Sequence, residues 1–411
     1  MTAPSPPTAP SLTLLLDAEL YAPEPLGRGH VLLGGGRVLH VGAEPPEIRG
    51  VPVEAVDLGG RRVVPGLVDA HVHVTGGGGE AGPHTRAPAP ALSHYTTAGV
   101  TTVVGLLGTD DLTRNTAGLL ARVRALRAEG LTAFFWTGGY HLPPTTLTGT
   151  VRGDIVHLAE CIGFGELAIS DHRSSQPTFE QVAHLASECH VAGLMSGKAG
   201  VLHLHLGDGE RGLALLRRML DETELPPRTV HPTHVNRRRA LFDEALALAE
   251  RGVTVDVTAF PPEEAGEDEV EASEAVGRYL DSGLAPERLT VSSDGGGCLP
   301  HFDPQGELVQ MGFATSGALA DLLRRLLDAG RPLESVLPPF TQNPARALRL
   351  ARKGRLAPGA DADLVVLDAD HGIADVMARG RWMVRDGRPV VPGLFESSPS
   401  PHPRHAVPPR P

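Results

Sequence analysis

From about Val63 to Leu348, the chain alternates short apolar runs with longer amphipathic segments. The apolar run Val100 to Leu107, for example, is followed by the amphipathic segment Leu119 to Glu129. Such alternation is typical of βα units, in which helices connect the strands of a parallel sheet. A stretch of about 280 residues suits a single (β/α)8 TIM-like barrel, and periodicity alone leaves a doubly wound sheet as the alternative.

Shorter β-like runs flank these units on both sides. Leu12 to Leu16 and Arg37 to Val41 precede the repeated pattern, and Leu364 to Asp368 follows it. We expect the two flanks to pack together as one discontinuous small β-sandwich domain. The predicted division is residues 1–61 and 349–396 for the β domain, 62–348 for the α/β barrel and 397–411 for a disordered, Pro/Ser-rich tail.

Composition argues against several classes of protein. A formal net charge of -12 over 411 residues does not suit a nucleic-acid surface. No run approaches the about 20 apolar residues of a membrane span, and the first residues lack the pattern of a secretory signal. Cys161, Cys189 and Cys298 are too scattered for a disulfide framework or a zinc ribbon. We therefore expect a cytoplasmic enzyme with no nucleic acid and no membrane among its partners.

Metal-binding side chains stand at the ends of four apolar runs. His71 and His73 lie two positions apart after the first run, so on a strand both point to the same side. Later runs end in His205, in His234 and in Asp294. Taken alone, the first two leave a pair of structural histidines at a strand end as the alternative. In a barrel, however, all these strand ends meet at one face, which predicts a metal site there.

These residues resemble the binuclear metal site of the amidohydrolase superfamily and, within it, the isoaspartyl dipeptidase subfamily most closely. The supporting stretches are Pro65 to His73, Gly76 to Gly82, Val103 to Asp110, Thr137 to His141, Ala168 to Ser174, Pro232 to Arg237 and Ser292 to Gly295. The resemblance implies two Zn²⁺ per subunit, the first held by His71, His73 and Asp294 and the second by His205 and His234. It also implies a homo-oligomer that acts on a small peptide substrate.

Glu166 is the expected bridge between the two metals. The superfamily uses a carboxylated lysine there, but the two lysines of this chain are poorly placed. Lys198 would lie about 23 Å along a strand from His205, and Lys353 follows the barrel. Glu166 occupies the matching position, in a segment one residue longer than the family pattern, and would need no CO₂. The alternative is a solvated carboxylate beside one weakly bound metal.

Two residues have implied catalytic roles. Asp294 would accept a proton from the hydroxide and deliver it to the departing amine, and Tyr140 would donate a hydrogen bond to the scissile carbonyl oxygen. The resulting activity is cleavage of the isopeptide amide of β-aspartyl (isoaspartyl) dipeptides by a metal-bridging hydroxide. The alternatives are an amidohydrolase of cyclic amides or N-acyl amino acids, of the dihydroorotase, hydantoinase or deacylase kind, and a non-catalytic scaffold homologue.

Substrate recognition is implied for six residues. They are Glu80, Gly78, Thr109, Arg173, Arg237 and Cys298. Glu80 would bind the free α-amino group, and the two arginines would bind carboxylates, which guanidinium matches bidentately. Cys298 stands where the family has a serine, and a thiol is the weaker hydrogen-bond donor.

Three further polar residues near the metal-binding stretches receive lesser roles. Asp69 faces the same side as His71, and we interpret it as a group that orients a ligand. His203 shares a face with His205, one layer deeper, and is interpreted as a buried structural histidine. No specific function is assigned to His231.

Overall fold

The computed structural model describes residues 12–262, 266, 268–302 and 308–396. The predicted disordered tail, 397–411, lies outside the described residues. The strands are β1 (Leu12–Tyr21), β2 (Pro25–Gly34), β3 (Arg37–Gly42), β4 (Val53–Asp57), β5 (Arg62–Pro65), β6 (Leu67–Val72), β7 (Val100–Gly105), β8 (Thr132–Thr137), β9 (Cys161–Ile169), β10 (Val201–Leu206), β11 (Val230–Thr233), β12 (Val255–Thr258), β13 (Leu289–Ser292), β14 (Cys298–Phe302), β15 (Leu308–Phe313), β16 (Leu364–Leu367), β17 (Ile373–Ala378), β18 (Arg381–Arg385) and β19 (Arg388–Pro389). The α-helices are α1 (Leu92–Thr96), α2 (Thr116–Glu129), α3 (Val151–His157), α4 (Phe179–Ser196), α5 (Ala214–Glu222), α6 (Arg239–Glu250), α7 (Ala272–Asp281), α8 (Gly317–Asp328), α9 (Leu333–Val336) and α10 (Gln342–Ala347). Among the residues described, no helix is both long and apolar enough to cross a membrane.

Strands β6 to β13 enclose the barrel. The first six form a continuous parallel sheet in chain order, and β12 pairs in parallel with β13. Contacts between β11 and β12 and between β13 and β6 complete the ring, and a parallel bridge from Val72 to Gly295 helps to close it. A helix lies between each strand and the next, and α8 follows the β14–β15 hairpin. The predicted (β/α)8 TIM-like barrel is confirmed.

Helix α4 shows how local sequence positions a loop of the barrel. Thr178 and Gln181 form a capping box, in which each side chain accepts a hydrogen bond from the backbone N–H of the other. The helix ends at Gly197, whose φ of 70° is left-handed and suits a residue without a Cβ. Because the capping box fixes where α4 begins, it also fixes the end of the loop that follows β9.

The remaining large sheet is built from both flanks of the chain. It has nine strands, with the order β19-β18-β17-β16-β5-β1-β2-β3 and β4 paired to β1. Strand β5 pairs in parallel with β1 and antiparallel with β16, so it joins the two flanks. Residues such as Leu15, Leu33 and Leu364 form a core separate from that of the barrel. The predicted β domain drawn from both termini is confirmed, while the exact domain boundaries stay a prediction.

Candidate active site

Six of the polar side chains singled out in the sequence converge at the C-terminal ends of the barrel strands. They are His71 of β6, His73 just after it, Glu166 of β9, His205 of β10, His234 just after β11 and Asp294 just after β13. All six are buried. The barrel thus brings together residues from four of the expected strand ends and adds the glutamate of β9.

A first group of potential metal ligands consists of His71, His73 and Asp294. The Asp294 Oδ1 atom lies 3.0 Å from His73 Nε2 and 3.4 Å from His71 Nε2. One potential ligand atom from each residue lies within 4.8 Å of the others. This is the set that the sequence predicts for one metal ion.

A second group consists of His71, Glu166 and His234, whose potential ligand atoms also lie within 4.8 Å of one another. The Glu166 Oε2 atom is 3.5 Å from His71 Nε2 and 3.6 Å from His234 Nε2. The other carboxylate oxygen, Oε1, lies 3.4 Å from His73 Nε2. Glu166 therefore contacts both groups, which is the placement that a bridging carboxylate requires.

A bulge in β9 brings the Glu166 side chain to this position. Leu202 and Leu204 of β10 pair with Phe164 and Leu167 of β9, so β9 holds one more residue than β10 over the same distance. A bulge of this kind bends a strand and redirects a side chain. The bulge lies at Gly165–Glu166, in the segment that is one residue longer than the family pattern. A Cβ at Gly165 would lie 2.8 Å from the His203 Cβ, so a larger residue there would displace β10.

His205 lies next to Glu166 but outside both groups of three. Its Nδ1 atom is 3.0 Å from Glu166 Oε2 and 2.8 Å from the Tyr140 hydroxyl. Its Nε2 atom is 3.0 Å from Asp171 Oδ2. Coordination of a metal by either ring nitrogen would therefore replace one of these hydrogen bonds.

The electrostatics of the site favour a bound cation. Burial lowers the pKa of His71, and it lowers the pKa of His205 to about 3, so both imidazoles are neutral at pH 7. Burial, followed by the charge of Asp294, raises the pKa of Glu166 well above its usual value. Burial would also raise the pKa of Asp294, but the adjacent imidazoles of His71 and His73 outweigh it and lower that pKa. Two buried carboxyl groups among neutral imidazoles call for positive charge.

Unsatisfied polar atoms point to the same conclusion. His71 Nε2, Glu166 Oε1 and Asp294 Oδ1 are buried without a hydrogen-bond partner among the described residues. Buried polar atoms are normally paired, so three orphaned acceptor-type atoms within one cluster fit a divalent cation. The residues present therefore suit the metals that the resemblance implies.

The six predicted substrate-binding residues line one small cavity beside these ligands. The cavity has a volume of about 20 Å³ and is lined by His73, Gly78, Glu80, Gly108, Thr109, Tyr140, Arg173, His205, Arg237, Asp294 and Cys298. Glu80 Oε1 accepts hydrogen bonds from Thr109 at 3.2 Å and from Arg173 at 3.3 Å. Glu80 Oε2 is buried and has no partner within the described part of the chain. One carboxylate oxygen is thus held in place while the other is available to a ligand.

Tyr140 is held in its protonated form. Burial, followed by the charge of Glu166, raises the pKa of the Tyr140 phenol well above 10. The Arg173 guanidinium lies 5.6 Å from the centre of the Tyr140 ring. A buried, protonated phenol beside the cavity is a hydrogen-bond donor suited to a developing oxyanion.

Asp171 is a site residue to which the sequence analysis assigned no role. Its carboxylate accepts from Arg173 Nη2 at 2.7 Å and lies 3.0 Å from His205 Nε2, so it joins the substrate cavity to the metal-ligand cluster. Burial would raise the pKa of Asp171, but the hydrogen bonds from His205 and Arg173 outweigh it and lower that pKa. The available signal was its position just after β9, two residues before Arg173.

Asp69 holds two strand ends together. Its Oδ1 atom accepts a hydrogen bond from the Ser293 backbone N–H at 3.1 Å and from that of His71 at 3.4 Å. Burial raises the pKa of Asp69 to about 7. Asp69 therefore links the backbone that carries His71 to the residue that precedes Asp294.

A much larger cavity, of about 610 Å³, lies at the opposite end of the barrel, against the β domain. Its lining includes Arg37, Arg127, Thr132 and Lys353, and the buried metal-ligand residues contribute nothing to it. Volume alone would select this cavity. The orphaned acceptor atoms and the perturbed pKa values favour the small one as the candidate reactive site.

Comparisons with known proteins show the family to which the chain belongs. The sequence pattern of the amidohydrolase family matches residues 163–383. A crystal structure of β-aspartyl dipeptidase from Fervidobacterium islandicum AW-1, in complex with the dipeptide β-Asp-Leu, superposes with a TM-score of 0.89. That enzyme is 40% identical, and the match covers 93% of this chain and 98% of the other.

Two curated relatives are less similar to this chain, either in sequence identity or in the length that is matched. A dihydroorotase from Anaplasma phagocytophilum is 25% identical over 84% of this chain and 83% of its own length. An adenine deaminase from Methanothrix thermoacetophila is 38% identical, but over only 18% of this chain and 13% of its own length. The resemblance drawn from the sequence motifs is confirmed. The chain is a hydrolytic enzyme and belongs to the amidohydrolase family.

Proposed function

We propose that the enzyme is a binuclear zinc hydrolase that cleaves the isopeptide amide of β-aspartyl dipeptides. The observation that carries this proposal is the position of Glu80, a partly buried carboxylate beside the metal-ligand cluster whose Oε2 atom is buried without a hydrogen-bond partner among the described residues. A dipeptide with a free α-amino group supplies the cation that this oxygen lacks. The 40% identity to an enzyme whose crystal structure holds β-Asp-Leu supports the same substrate class.

The charges around the cavity match a β-aspartyl dipeptide. Such a substrate carries one ammonium group and two carboxylates, one on the aspartyl residue and one on the leaving residue. Glu80 would bind the ammonium group, and Arg173 and Arg237, which line the same cavity, would bind the carboxylates. Cyclic amides have no free α-amino group and would leave Glu80 without its partner.

The metal ligands would be divided by Glu166. His71, His73 and Asp294 would hold one zinc ion, and His205 and His234 the other, with the Glu166 carboxylate between them. When bound, Zn²⁺ polarises a carbonyl and lowers the pKa of water toward about 7, which provides hydroxide at neutral pH. Because Glu166 is a carboxylate without modification, assembly of this site requires no CO₂.

Two side chains would act on the reacting groups. Asp294 would accept the proton of the attacking hydroxide and transfer it to the leaving amine. Tyr140, kept protonated by burial, would donate a hydrogen bond to the carbonyl oxygen as negative charge develops on it.

Hydrolysis of three compounds tests this proposal. Purified protein is assayed on β-Asp-Leu, α-Asp-Leu and dihydroorotate, before and after chelation and zinc return, without added bicarbonate. We expect turnover of β-Asp-Leu alone, lost on chelation and restored by zinc. Restored turnover of dihydroorotate alone would replace the substrate class and keep the metal site. No turnover of any compound would contradict the proposal and favour a scaffold homologue or another amide.

A Glu80→Gln variant tests whether the Glu80 carboxylate binds the ammonium group of the substrate. The amide keeps an acceptor oxygen but loses the charge that an ammonium group requires, so kcat/KM for β-Asp-Leu should fall at least about 100-fold, a loss of about 2.7 kcal/mol. Zinc content should not change. The matched control is Glu222→Gln, since Glu222 is an exposed carboxylate in an i,i+4 pair with Arg218. Equal activity of the two variants would exclude the proposed role of Glu80.

A further inference from the structure

Five buried polar side chains form a continuous row behind the metal-ligand cluster, which we call the buried polar chain. In order they are His71, His203, His231, Thr290 and Asp256. The successive distances are 2.8 Å, 3.0 Å, 2.9 Å and 2.6 Å, and no member is more than 2% exposed. From the sequence, His203 is interpreted as structural and His231 has no assigned function, and the proposed reaction uses neither of them.

The far end of the chain has a fixed hydrogen-bond direction. Asp256 Oδ2 accepts from Thr233 at 2.7 Å and from Ser292 at 2.5 Å. Asp256 Oδ1 lies 2.6 Å from the Thr290 hydroxyl. Thr290 donates this hydrogen bond, so its single hydroxyl hydrogen points toward Asp256. The Thr290 oxygen then offers a lone pair to His231, whose Nε2 atom must carry a hydrogen.

The direction of hydrogen-bond donation is the same at both contacts between histidines, because only one hydrogen lies between each pair of ring nitrogens. A neutral His231 with a hydrogen on Nε2 has a bare Nδ1, which accepts from His203 Nδ1. A neutral His203 then has a bare Nε2, which accepts from His71 Nδ1.

The last step concerns the nitrogen that faces the metal site. With its hydrogen on Nδ1, a neutral His71 presents the lone pair of Nε2. This is the atom that lies 3.4 Å from Asp294 Oδ1 and 3.5 Å from Glu166 Oε2, and it has no hydrogen-bond partner among the residues described. The opposite direction would place a hydrogen on Nε2 and block coordination.

We propose that Asp256 sets the tautomer of His71 through Thr290, His231 and His203, so that Nε2 is ready to coordinate zinc before the metal arrives. These four are positioning residues, since none of them contacts the substrate or the metal. The inference rests on the proposed function in one respect, the assignment of His71 as a ligand. It adds an origin for the ligand's tautomer in the carboxylate that β12 carries.

Ring stacking keeps the chain aligned. The Trp136 ring stacks on His203 at 4.9 Å with an angle of 12° between the planes, and His203 stacks on His231 at 5.0 Å and 30°. Trp136 is itself held by a 3.0 Å hydrogen bond from Nε1 to the Ala70 carbonyl. In this stacked position, the His203 ring keeps Nε2 toward His71 and Nδ1 toward His231.

Nitrogen-15 NMR of histidine-labelled full-length protein observes the tautomers directly. Signals are assigned by their loss in His203→Gln and His231→Gln. We expect the hydrogen on Nδ1 of His203 and on Nε2 of His231, both in the metal-free protein and after zinc is added. The opposite tautomers, or tautomers that appear only with zinc, would overturn the proposal. This readout needs no substrate and is independent of which amide the enzyme cleaves.

A pair of variants at Thr290 tests the consequence for metal binding. Thr290→Val keeps the shape but removes the hydroxyl, whereas Thr290→Ser retains it. Loss of an outer partner of a metal ligand costs about 10-fold to 100-fold in affinity. We expect the zinc Kd, measured by competition with a chelator, to weaken by that factor in Thr290→Val and to stay within about 2-fold in Thr290→Ser. Equal Kd values for Thr290→Val and the unmodified protein would overturn the proposal, with circular dichroism confirming that both are folded.

Discussion

Arg173 donates a hydrogen bond from Nη1 to Glu80 Oε1 at 3.3 Å. Both residues line the same cavity, and they are proposed to bind substrate groups of opposite charge, a carboxylate for Arg173 and the ammonium group for Glu80. Each of them has a second partner, since Arg173 also contacts Asp171 at 2.7 Å and Glu80 accepts from Thr109 at 3.2 Å. The cavity of about 20 Å³ has room for a water molecule and is too small for a dipeptide. A bound dipeptide would therefore separate this pair and offer each residue a partner of opposite charge.

Asp171→Asn should impair both substrate and metal binding. The change removes the charge opposite Arg173 and weakens the acceptor for His205, so we expect KM for β-Asp-Leu to rise and zinc affinity to fall about 10-fold to 100-fold. Steady-state kinetics and chelator competition measure the two effects. The control is Asp221→Asn, which disrupts an exposed pair with Arg251. If the two variants behave alike, Asp171 has no part in the site.

Glu166→Gln tests the proposed bridge. An amide cannot replace a carboxylate between two cations, so zinc content should fall from about two to about one per chain. We expect kcat to fall by more than about 100-fold, beyond the loss typical of outer partners. Metal analysis by mass spectrometry gives the stoichiometry. Retention of two zinc ions would refute the bridge, whatever the activity.

Tyr140→Phe should lower kcat by about 100-fold to 1000-fold, since removal of one oxyanion donor typically has this effect. KM and zinc content should change little. Tyr95→Phe provides the control, because Tyr95 is also fully buried and its hydroxyl has no hydrogen-bond partner in the described residues. A small loss of kcat in both variants would remove Tyr140 from the mechanism.

Cys298 should react with alkylating agents in a distinctive way as pH changes. Burial, followed by the charge of Glu80, raises the pKa of Cys298 to about 11. Since only the thiolate reacts, the rate should rise tenfold per pH unit up to about 11, whereas an ordinary thiol levels off above about 8.5.

Iodoacetamide labelling followed by peptide mass spectrometry measures this rate. Cys161 and Cys189 are fully buried and should remain unlabelled in the folded protein. β-Asp-Leu should protect Cys298, because its side chain lines the same cavity as Glu80. A plateau near pH 9, or a lack of protection, would contradict this placement.

The fold could be predicted from sequence periodicity because each βα unit has its own pattern, an apolar run followed by an amphipathic segment. The run Val100 to Leu107 contains β7, and the amphipathic segment that follows it lies within α2. Histidines at strand ends were equally informative, since barrel topology alone brings His71 and His234 together.

The contacts that the sequence could not supply depend on register and on long-range packing. The β9 bulge was detectable only as one extra residue, and its effect on the direction of Glu166 required the pairing with β10. The sequence did not mark Asp256 as a candidate functional residue. Its carboxylate lies in an apolar strand, and only the structure shows that the hydroxyls of Thr233, Thr290 and Ser292 surround it. Hydrogen bonds between distant strands have no local pattern.

The pairing of β5 with β16 has a consequence for the growing polypeptide. These strands are separated by the whole barrel, yet Val63 and Val64 of β5 lie opposite Val366 and Val365 of β16. While the ribosome is still translating the barrel, the edge of β5 lacks its neighbour and remains open to other chains. Such non-local pairings form slowly and late. Shortening the chain before β16 would therefore leave β5 without its antiparallel neighbour, in an unfinished sheet that is prone to aggregate.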